Sequence, residues 1–81
     1  MYRFDSFRRA AIIILKESKN PLHYKEITKR AIKGNILKTH GVTPAATMNS
    51  TMYRDITYKK EKSAFVKVKR AYFTLNPKYR G

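Results

Sequence analysis

Side chains suited to acid, base or metal chemistry are few in this chain, and they are scattered. The 81 residues include two histidines, no cysteine and five acids: Asp5, Glu17, Glu26, Asp55 and Glu61. These acids fall at predicted helix ends and surfaces, and neither a carboxylate pair nor a metal cluster is visible among them. Without cysteine, and with no acid at ligand spacing from either histidine, no metal site is predicted. We therefore predict no enzymatic activity, no metal and no cofactor.

Cations dominate the chemistry that the chain can do. Lys and Arg number 19, and the formal net charge is +14. From Lys59 onward there are eight Lys or Arg and one Glu, a net charge of +7. A charge of this size predicts a polyanionic partner, with nucleic acid first. Lys67, Lys69 and Arg70 are the predicted phosphate or minor-groove contacts, with a merely solvated basic surface as the alternative.

A second candidate surface is a face of small polar residues in the predicted third helix. At 100° per residue, the face opposite Met48 and Met52 is rich in hydroxyl groups, with Thr51 and Tyr58 at its edge. Its other members are Ala46, Thr47, Ser50, Arg54 and Thr57. Small side chains permit close approach to a major groove, and Arg54 could contact guanine or phosphate. The alternative is an ordinary solvated helix surface.

Local patterns predict the elements that would position these residues. The first helix is predicted over residues 5–18, capped by Asp5 and Ser6, with Phe7, Ala11, Ile14 and Leu15 in its apolar stripe. The second covers residues 24–33 and is closed by Gly34 and Asn35 as a left-handed pair. Thr43 and Pro44 start the third helix, which runs to about residue 58; Thr43 is an N-cap that could also bind phosphate.

Packing predictions accompany these helices. In the third helix Ala45, Met48, Met52 and Ile56 are predicted to point inward, and Asp55 is predicted to form an ordinary surface pair with Lys59. Four aromatic residues are predicted to lie in the core: Tyr24, Tyr53, Phe65 and Phe73.

The C-terminal part is predicted to be a β-hairpin. Residues 64–68 and 72–75 are β-branched and aromatic and flank a short polar segment, whereas 77–81 is predicted to be a loose basic tail. Residues 21–23 form an extended stretch that could add a third strand. Three helices followed by a hairpin predict a mainly α (α+β) winged helix-turn-helix, with the hairpin as the wing. The prediction is one domain over residues 1–81, with its core at about 5–76.

Several separated motifs resemble the HARE-HTH family of winged helices. They are Pro21-Leu22-His23-Tyr24-Lys25-Glu26-Ile27, then Gly41-Val42-Thr43-Pro44 followed by Thr47, Met52 and Tyr53, then Phe65, Val68, Phe73 and Leu75. The resemblance implies DNA binding or docking to protein in transcription, chromatin or restriction systems, without catalysis. The chain departs from the family at the hairpin tip, where Lys69 and Ala71 replace the usual glycines, so that a tight turn with positive φ is less easily made.

The prediction is a non-enzymatic domain that binds double-stranded DNA. The alternative is a protein-docking accessory module of a transcription or chromatin complex, or a homodimer, using apolar residues Ile12 and Ile13 of the first helix. RNA binding fits the charge, but the exposed aromatic sheet of common single-strand binders is lacking. The longest apolar run, residues 10–15, is far too short to cross a membrane. An intracellular location, in the cytoplasm, nucleoid or nucleus, is therefore expected.

Overall fold

The computed structural model describes residues 3–38 and 44–79, with side chains from Ser6 onward. The helices are α1 (Arg3–Glu17), α2 (Tyr24–Lys33) and α3 (Pro44–Lys59), and a single 3₁₀ turn follows at Lys60–Lys62. The strands are β1 (Leu22–His23), β2 (Phe65–Lys69) and β3 (Tyr72–Leu75). Three helices and a three-stranded antiparallel sheet confirm the predicted winged helix-turn-helix, in which the β2–β3 hairpin is the wing.

Helix α1 starts earlier than predicted. It already includes Arg3, so Asp5 and Ser6 lie inside the helix and do not precede it as caps. Neither Arg3 nor Phe4 is a residue that interrupts a helix, which allows this extension. The predicted inward stripe of α1 is confirmed, because all four of its residues are buried.

Helix α2 has the predicted bounds, but its ends are built differently. At its start the Nδ1 atom of His23 accepts a hydrogen bond of 3.1 Å from the backbone N–H of Lys25, so this histidine is the N-cap. At its end the left-handed residue is Asn35, with φ 58°, whereas Gly34 has φ −87°. Backbone N–H groups of Asn35 and Ile36 bond the carbonyls of Ile32 and Ala31, which is a Schellman motif.

The sheet has the order β1-β3-β2. Strand β1 is the third strand that the extended stretch at residues 21–23 suggested, and it pairs Leu22 with Phe73. The core lies between the helices and the inner face of this sheet. Its buried apolar residues are Phe7, Ala10, Ala11, Ile14, Leu15, Ile27, Ala31, Leu37, Met48, Met52, Ala64, Phe65 and Phe73.

The hairpin tip makes a tight turn without glycine. Ala71 adopts φ 68°, and its carbonyl accepts a hydrogen bond of 3.1 Å from the N–H of Tyr24, which ties the tip to the start of α2. A register shift between Lys67 and Lys69 leaves one extra residue in β2, a β-bulge beside the turn.

Replacing Ala71 with glycine is expected to stabilise the chain. A left-handed conformation costs an L-residue roughly 1–2 kcal/mol, which glycine avoids, whereas the extra freedom of glycine in the unfolded chain costs about 0.5–1 kcal/mol. The net gain in the free energy of unfolding should be about 0.5–1 kcal/mol, measured by urea denaturation. Ala46→Gly, at an exposed position in the first turn of α3, is the control and should lose stability, by up to about 1 kcal/mol. A loss of stability for Ala71→Gly would contradict the expectation.

The segment after β3 is held against the core as far as Tyr79, in contrast to the predicted loose tail from residue 77. Asn76 is buried, and its side-chain amide donates to the carbonyls of Glu61 and Ser63 at 3.0 and 2.8 Å. Tyr79 packs against the core and lies under the guanidinium of Arg8. These contacts join residues far apart in sequence, which a reading of local composition does not detect.

No helix in the described ranges is both long enough and apolar enough to span a bilayer.

Candidate nucleic-acid interface

The surface of α3 opposite its buried methionines is polar and mostly exposed. Met48 and Met52 are buried against the core, and at 100° per residue their opposite face carries Ala46 and Ser50 in exposed positions. Thr47 is half-buried at the edge of this face, and Arg54 and Thr57 are exposed. Side chains this small would let a helix approach a groove closely. We call this surface the α3 face and define it as Ala46, Thr47, Ser50, Arg54 and Thr57.

Thr51 does not belong to this surface. It is only 4% exposed, and its hydroxyl donates a hydrogen bond of 2.7 Å to the backbone carbonyl of Thr47. A threonine inside a helix can satisfy its hydroxyl in this way, and it can therefore be buried on the inward side beside Met48 and Met52. Thr51 is therefore corrected from a predicted DNA contact to a core residue. Thr43, the predicted N-cap and phosphate contact, lies outside the described residues.

Arg54 is the long cation of the α3 face, and it lies beside an aromatic ring. Its guanidinium carbon is 6.0 Å from the centre of the Tyr58 ring, and Tyr58 is 76% exposed. The guanidinium can reach solvent while the ring limits its freedom, because a cation over a ring face is attracted by the ring quadrupole.

Tyr53 connects the α3 face to the wing, which the sequence did not suggest. It was predicted to be a core residue but is 39% exposed. Its ring meets Phe73 of β3 edge-on, and its hydroxyl accepts a hydrogen bond from the ammonium of Lys67 in β2. The same ammonium lies 4.8 Å from the centre of the Tyr53 ring. The helical projection puts Tyr53 near Ala46 and Thr57, which was the available signal.

The wing presents its cations along an exposed edge. Lys67, Lys69 and Arg70, the predicted phosphate or minor-groove contacts, are all exposed. The ammonium of Lys69 lies 4.5 Å from the centre of the Tyr72 ring, a contact of the same kind as that between Lys67 and Tyr53. The wing therefore carries three positive charges. Two of them, on Lys67 and Lys69, belong to side chains whose positions are restrained by tyrosine rings.

Asp55 joins α1, α3 and the start of the wing. The predicted pair with Lys59 forms, but Asp55 is buried and has further partners, so it is not an ordinary surface pair. Its carboxylate is buried and accepts hydrogen bonds from the Ser63 hydroxyl at 2.6 Å and the Ala64 N–H at 3.0 Å. Arg8 Nε lies 3.0 Å and Lys59 Nζ 3.4 Å from the same group. We call Asp55 and these four partners the Asp55 cluster.

The Asp55 cluster keeps the carboxylate charged. Burial by itself would raise the pKa of Asp55, but the hydrogen bonds from Ser63, Ala64 and Arg8 outweigh it and lower the pKa below its ordinary value. Burial would likewise lower the pKa of Arg8, yet its hydrogen bond and attraction to Asp55 raise it. The cluster thus fixes how the wing leaves α3.

Glu26 forms a local ion pair within α2. Glu26 accepts a hydrogen bond of 2.8 Å from Arg30 one turn later, which lowers its pKa. Within the ranges 3–38 and 44–79, no group of three or more His, Asp or Glu residues could hold a metal ion.

A protein-family model covers most of the chain. The model is HARE-HTH, whose description includes the helix-turn-helix domain of ASXL and of restriction endonucleases, and it matches residues 6–76 of the 81. Comparison with curated proteins found no match. Comparison with solved structures also found none.

Proposed function

The chain belongs to the HARE-HTH family of helix-turn-helix domains, and from this we propose that it binds double-stranded DNA without catalysing a reaction. In this proposal α3 enters the major groove with Ala46, Thr47, Ser50 and Arg54. The wing lies on the adjacent phosphate backbone through Lys67, Lys69 and Arg70.

The connection between α3 and the wing carries the proposal. Tyr53 and Lys67 hold the two surfaces next to each other, and the Asp55 cluster sets the start of β2 against α3. One rigid side of the molecule therefore offers a helix with small side chains and a cationic strand. This combination is complementary to a duplex, which presents a groove beside a line of phosphates.

The inventory of acids supports a non-enzymatic role. Asp55 is committed to its cluster, and Glu26 is paired with Arg30. Neither carboxylate lies on the α3 face or on the wing, where a reacting phosphate would be bound. A role in transcription or restriction, in the compartment that holds the DNA, follows from the proposal.

A titration monitored by amide chemical shifts tests it. A short duplex of mixed sequence at about 150 mM salt should shift the resonances of residues 44–57 and 67–71, because direct contacts persist where diffuse attraction is screened. The exposed lysines of α2, Lys25 and Lys29, are the internal control and should shift much less. Shifts that are absent, or equal over all lysines, would contradict the proposal.

Docking to a protein through α1 is the second candidate, and the exposure of Ile13 is the observation that favours it. Ile13 is 37% exposed, whereas Ile12 is half-buried and packs against the core, so of these two residues Ile13 is the one available to a partner.

If Ile13 forms a homodimer contact, Ile13→Asp should weaken self-association by more than tenfold, since an apolar contact would be replaced by a buried charge. Sedimentation over a range of protein concentrations measures this, and Lys25→Ala on α2, which lowers the net charge by the same one unit, is the control. A wild-type chain that sediments as a monomer throughout would remove the homodimer version.

A further inference from the structure

The α3 face has few groups that could distinguish one base pair from another. Ala46 has no hydrogen-bonding side chain, and Ser50 and Thr57 carry single hydroxyls, which suit several bases. Arg54 is the long donor there, and it lies beside the Tyr58 ring. In a duplex complex of the proposed kind, this face would read sequence weakly.

The three cations of the wing are not equivalent. The ammonium groups of Lys67 and Lys69 lie over the rings of Tyr53 and Tyr72. Arg70 is exposed at the hairpin turn, and among the described residues its side chain has no hydrogen bond, ion pair or ring contact. Within the described ranges, its guanidinium therefore has no hydrogen bond, ion pair or ring contact to give up when it binds a ligand.

The position of Arg70 suits a second groove. Lys67 is held against α3 by Tyr53, and at about 3.3 Å per strand residue the tip lies roughly 7–10 Å farther along the wing. If α3 occupies the major groove, this distance is long enough for the tip to reach across the adjacent phosphate backbone to the neighbouring minor groove. Val68 lies beside the tip and is 51% exposed. In that groove it would face the sugars, and as an apolar side chain it needs no polar partner there.

Arginine and lysine differ in this environment. Narrow minor grooves of A·T-rich DNA have an enhanced negative potential, and a guanidinium is less strongly hydrated than an ammonium, so it enters such a groove at a lower desolvation cost. The exocyclic amino group of guanine projects into the minor groove and is absent from A·T pairs.

We propose that Arg70 reads minor-groove shape, so that the chain selects duplexes with a narrow, A·T-rich minor groove and not a base sequence in the major groove. This inference rests on the proposed DNA binding and adds the class of duplex that is preferred. The residue that confers the preference is at the tip of the wing, and α3 and the other cations of the wing and its approach supply affinity.

Three duplexes of equal length with identical ends test the inference. Their six central pairs are A·T, G·C or inosine·C. Inosine lacks the guanine amino group, so an inosine·C pair resembles G·C in the major groove and A·T in the minor groove. Fluorescence anisotropy at about 150 mM salt gives the three dissociation constants.

The wild-type chain should bind the A·T and inosine·C duplexes about five- to tenfold more tightly than G·C, the lower part of the range for discrimination between base pairs. Arg70→Lys keeps the charge and should reduce this ratio below about twofold. Arg30→Lys, the same change on α2, is the matched control and should keep the wild-type ratio.

Equal binding of all three duplexes by the wild-type chain would overturn the inference and leave DNA binding intact. Inosine·C that behaves like G·C would also overturn it, because the preference would then come from the major groove. So would a preference that survives in Arg70→Lys. Failure to bind any of the three duplexes would instead contradict the proposed function itself.

Discussion

Raising the salt concentration from about 50 to about 200 mM is expected to weaken duplex binding by several hundred-fold to a few thousand-fold. This follows if about six cations contact phosphates, because each contact releases a condensed counterion and the log–log salt slope is then near −5. The exposed cations of the wing and Arg54 supply four of these contacts, and the approach to the wing supplies the rest. The approach consists of Lys60 and Lys62, both of which are exposed, whereas Lys59 is paired with Asp55.

The salt slope can also locate the contacts. A Lys69→Ala, Arg70→Ala double variant should have a slope shallower by about 2, since two counterions fewer are released. The matched control is Lys25→Ala, Lys29→Ala on α2, which removes the same charge from a surface outside the interface and should leave the slope near the wild-type value.

Anisotropy titrations at four or more salt concentrations give these slopes. A wild-type slope shallower than about −2 would contradict an interface built on phosphate contacts. If both double variants reduced the slope equally, the chain would bind as a uniform polycation and the wing would have no special role.

Asp55→Asn is expected to reduce the free energy of unfolding by about 3 kcal/mol, the order of loss seen when one partner of a buried ion pair is removed. The asparagine keeps the shape but loses the negative charge that faces Arg8 and Lys59. Its single amide oxygen can still accept from Ser63 and Ala64, but its NH2 group then faces Arg8, whose guanidinium loses its acceptor. Urea denaturation measures the loss.

Glu26→Gln is the matched control, because it also removes one acid from a chain with a net charge of +14. Its ion pair with Arg30 is exposed, so the change should cost less than about 0.5 kcal/mol. A loss below about 1 kcal/mol for Asp55→Asn would show that the Asp55 cluster contributes little to stability.

The pH dependence of stability gives an independent test of the cluster. The pKa of Asp55 is lower in the folded chain than its ordinary value of about 3.9, so its contribution is present above that value and is lost as the pH falls through the folded pKa. The urea concentration at the midpoint of unfolding should therefore decrease for the wild-type chain as the pH is lowered from about 5 to about 2. The decrease should be smaller for Asp55→Asn than for Glu26→Gln. Equal acid sensitivity of the two variants would contradict this assignment.

Elements with a strong local signal followed from the sequence. The bounds of α2, the start of α3 at Pro44 and the two strands of the wing agree with the prediction to within a residue or so. Each depends on groups that are close together in the chain, such as a breaking proline, an apolar stripe or a run of β-branched residues. The order of these elements was enough to predict the winged helix-turn-helix, and the charge and the α3 sequence were enough to choose the candidate surfaces.

The angular position of a residue around a helix predicts its burial less well when the side chain can be accommodated both in the core and at the surface. Thr51 and Tyr53 lie on opposite borders of the apolar stripe of α3 and were assigned to the wrong sides of it. Thr51 can be buried because it bonds to its own helix, and Tyr53 can be partly exposed because its hydroxyl has Lys67 as a partner. Which environment each residue takes depends on what packs beside α3.

The sequence by itself determined the element order, the buried stripes and a wing carrying a large positive charge, because these depend on residue type and short-range spacing. The tertiary structure alone decided that Asp55 is a buried acceptor, that Tyr53 holds Lys67, that Asn76 and Tyr79 join the core, and that Ala71 tolerates a left-handed turn. In each case the deciding partner is distant in the chain or on another element. Such contacts form only when the whole chain folds, because local preferences then yield to the burial of apolar surface and to the pairing of polar groups.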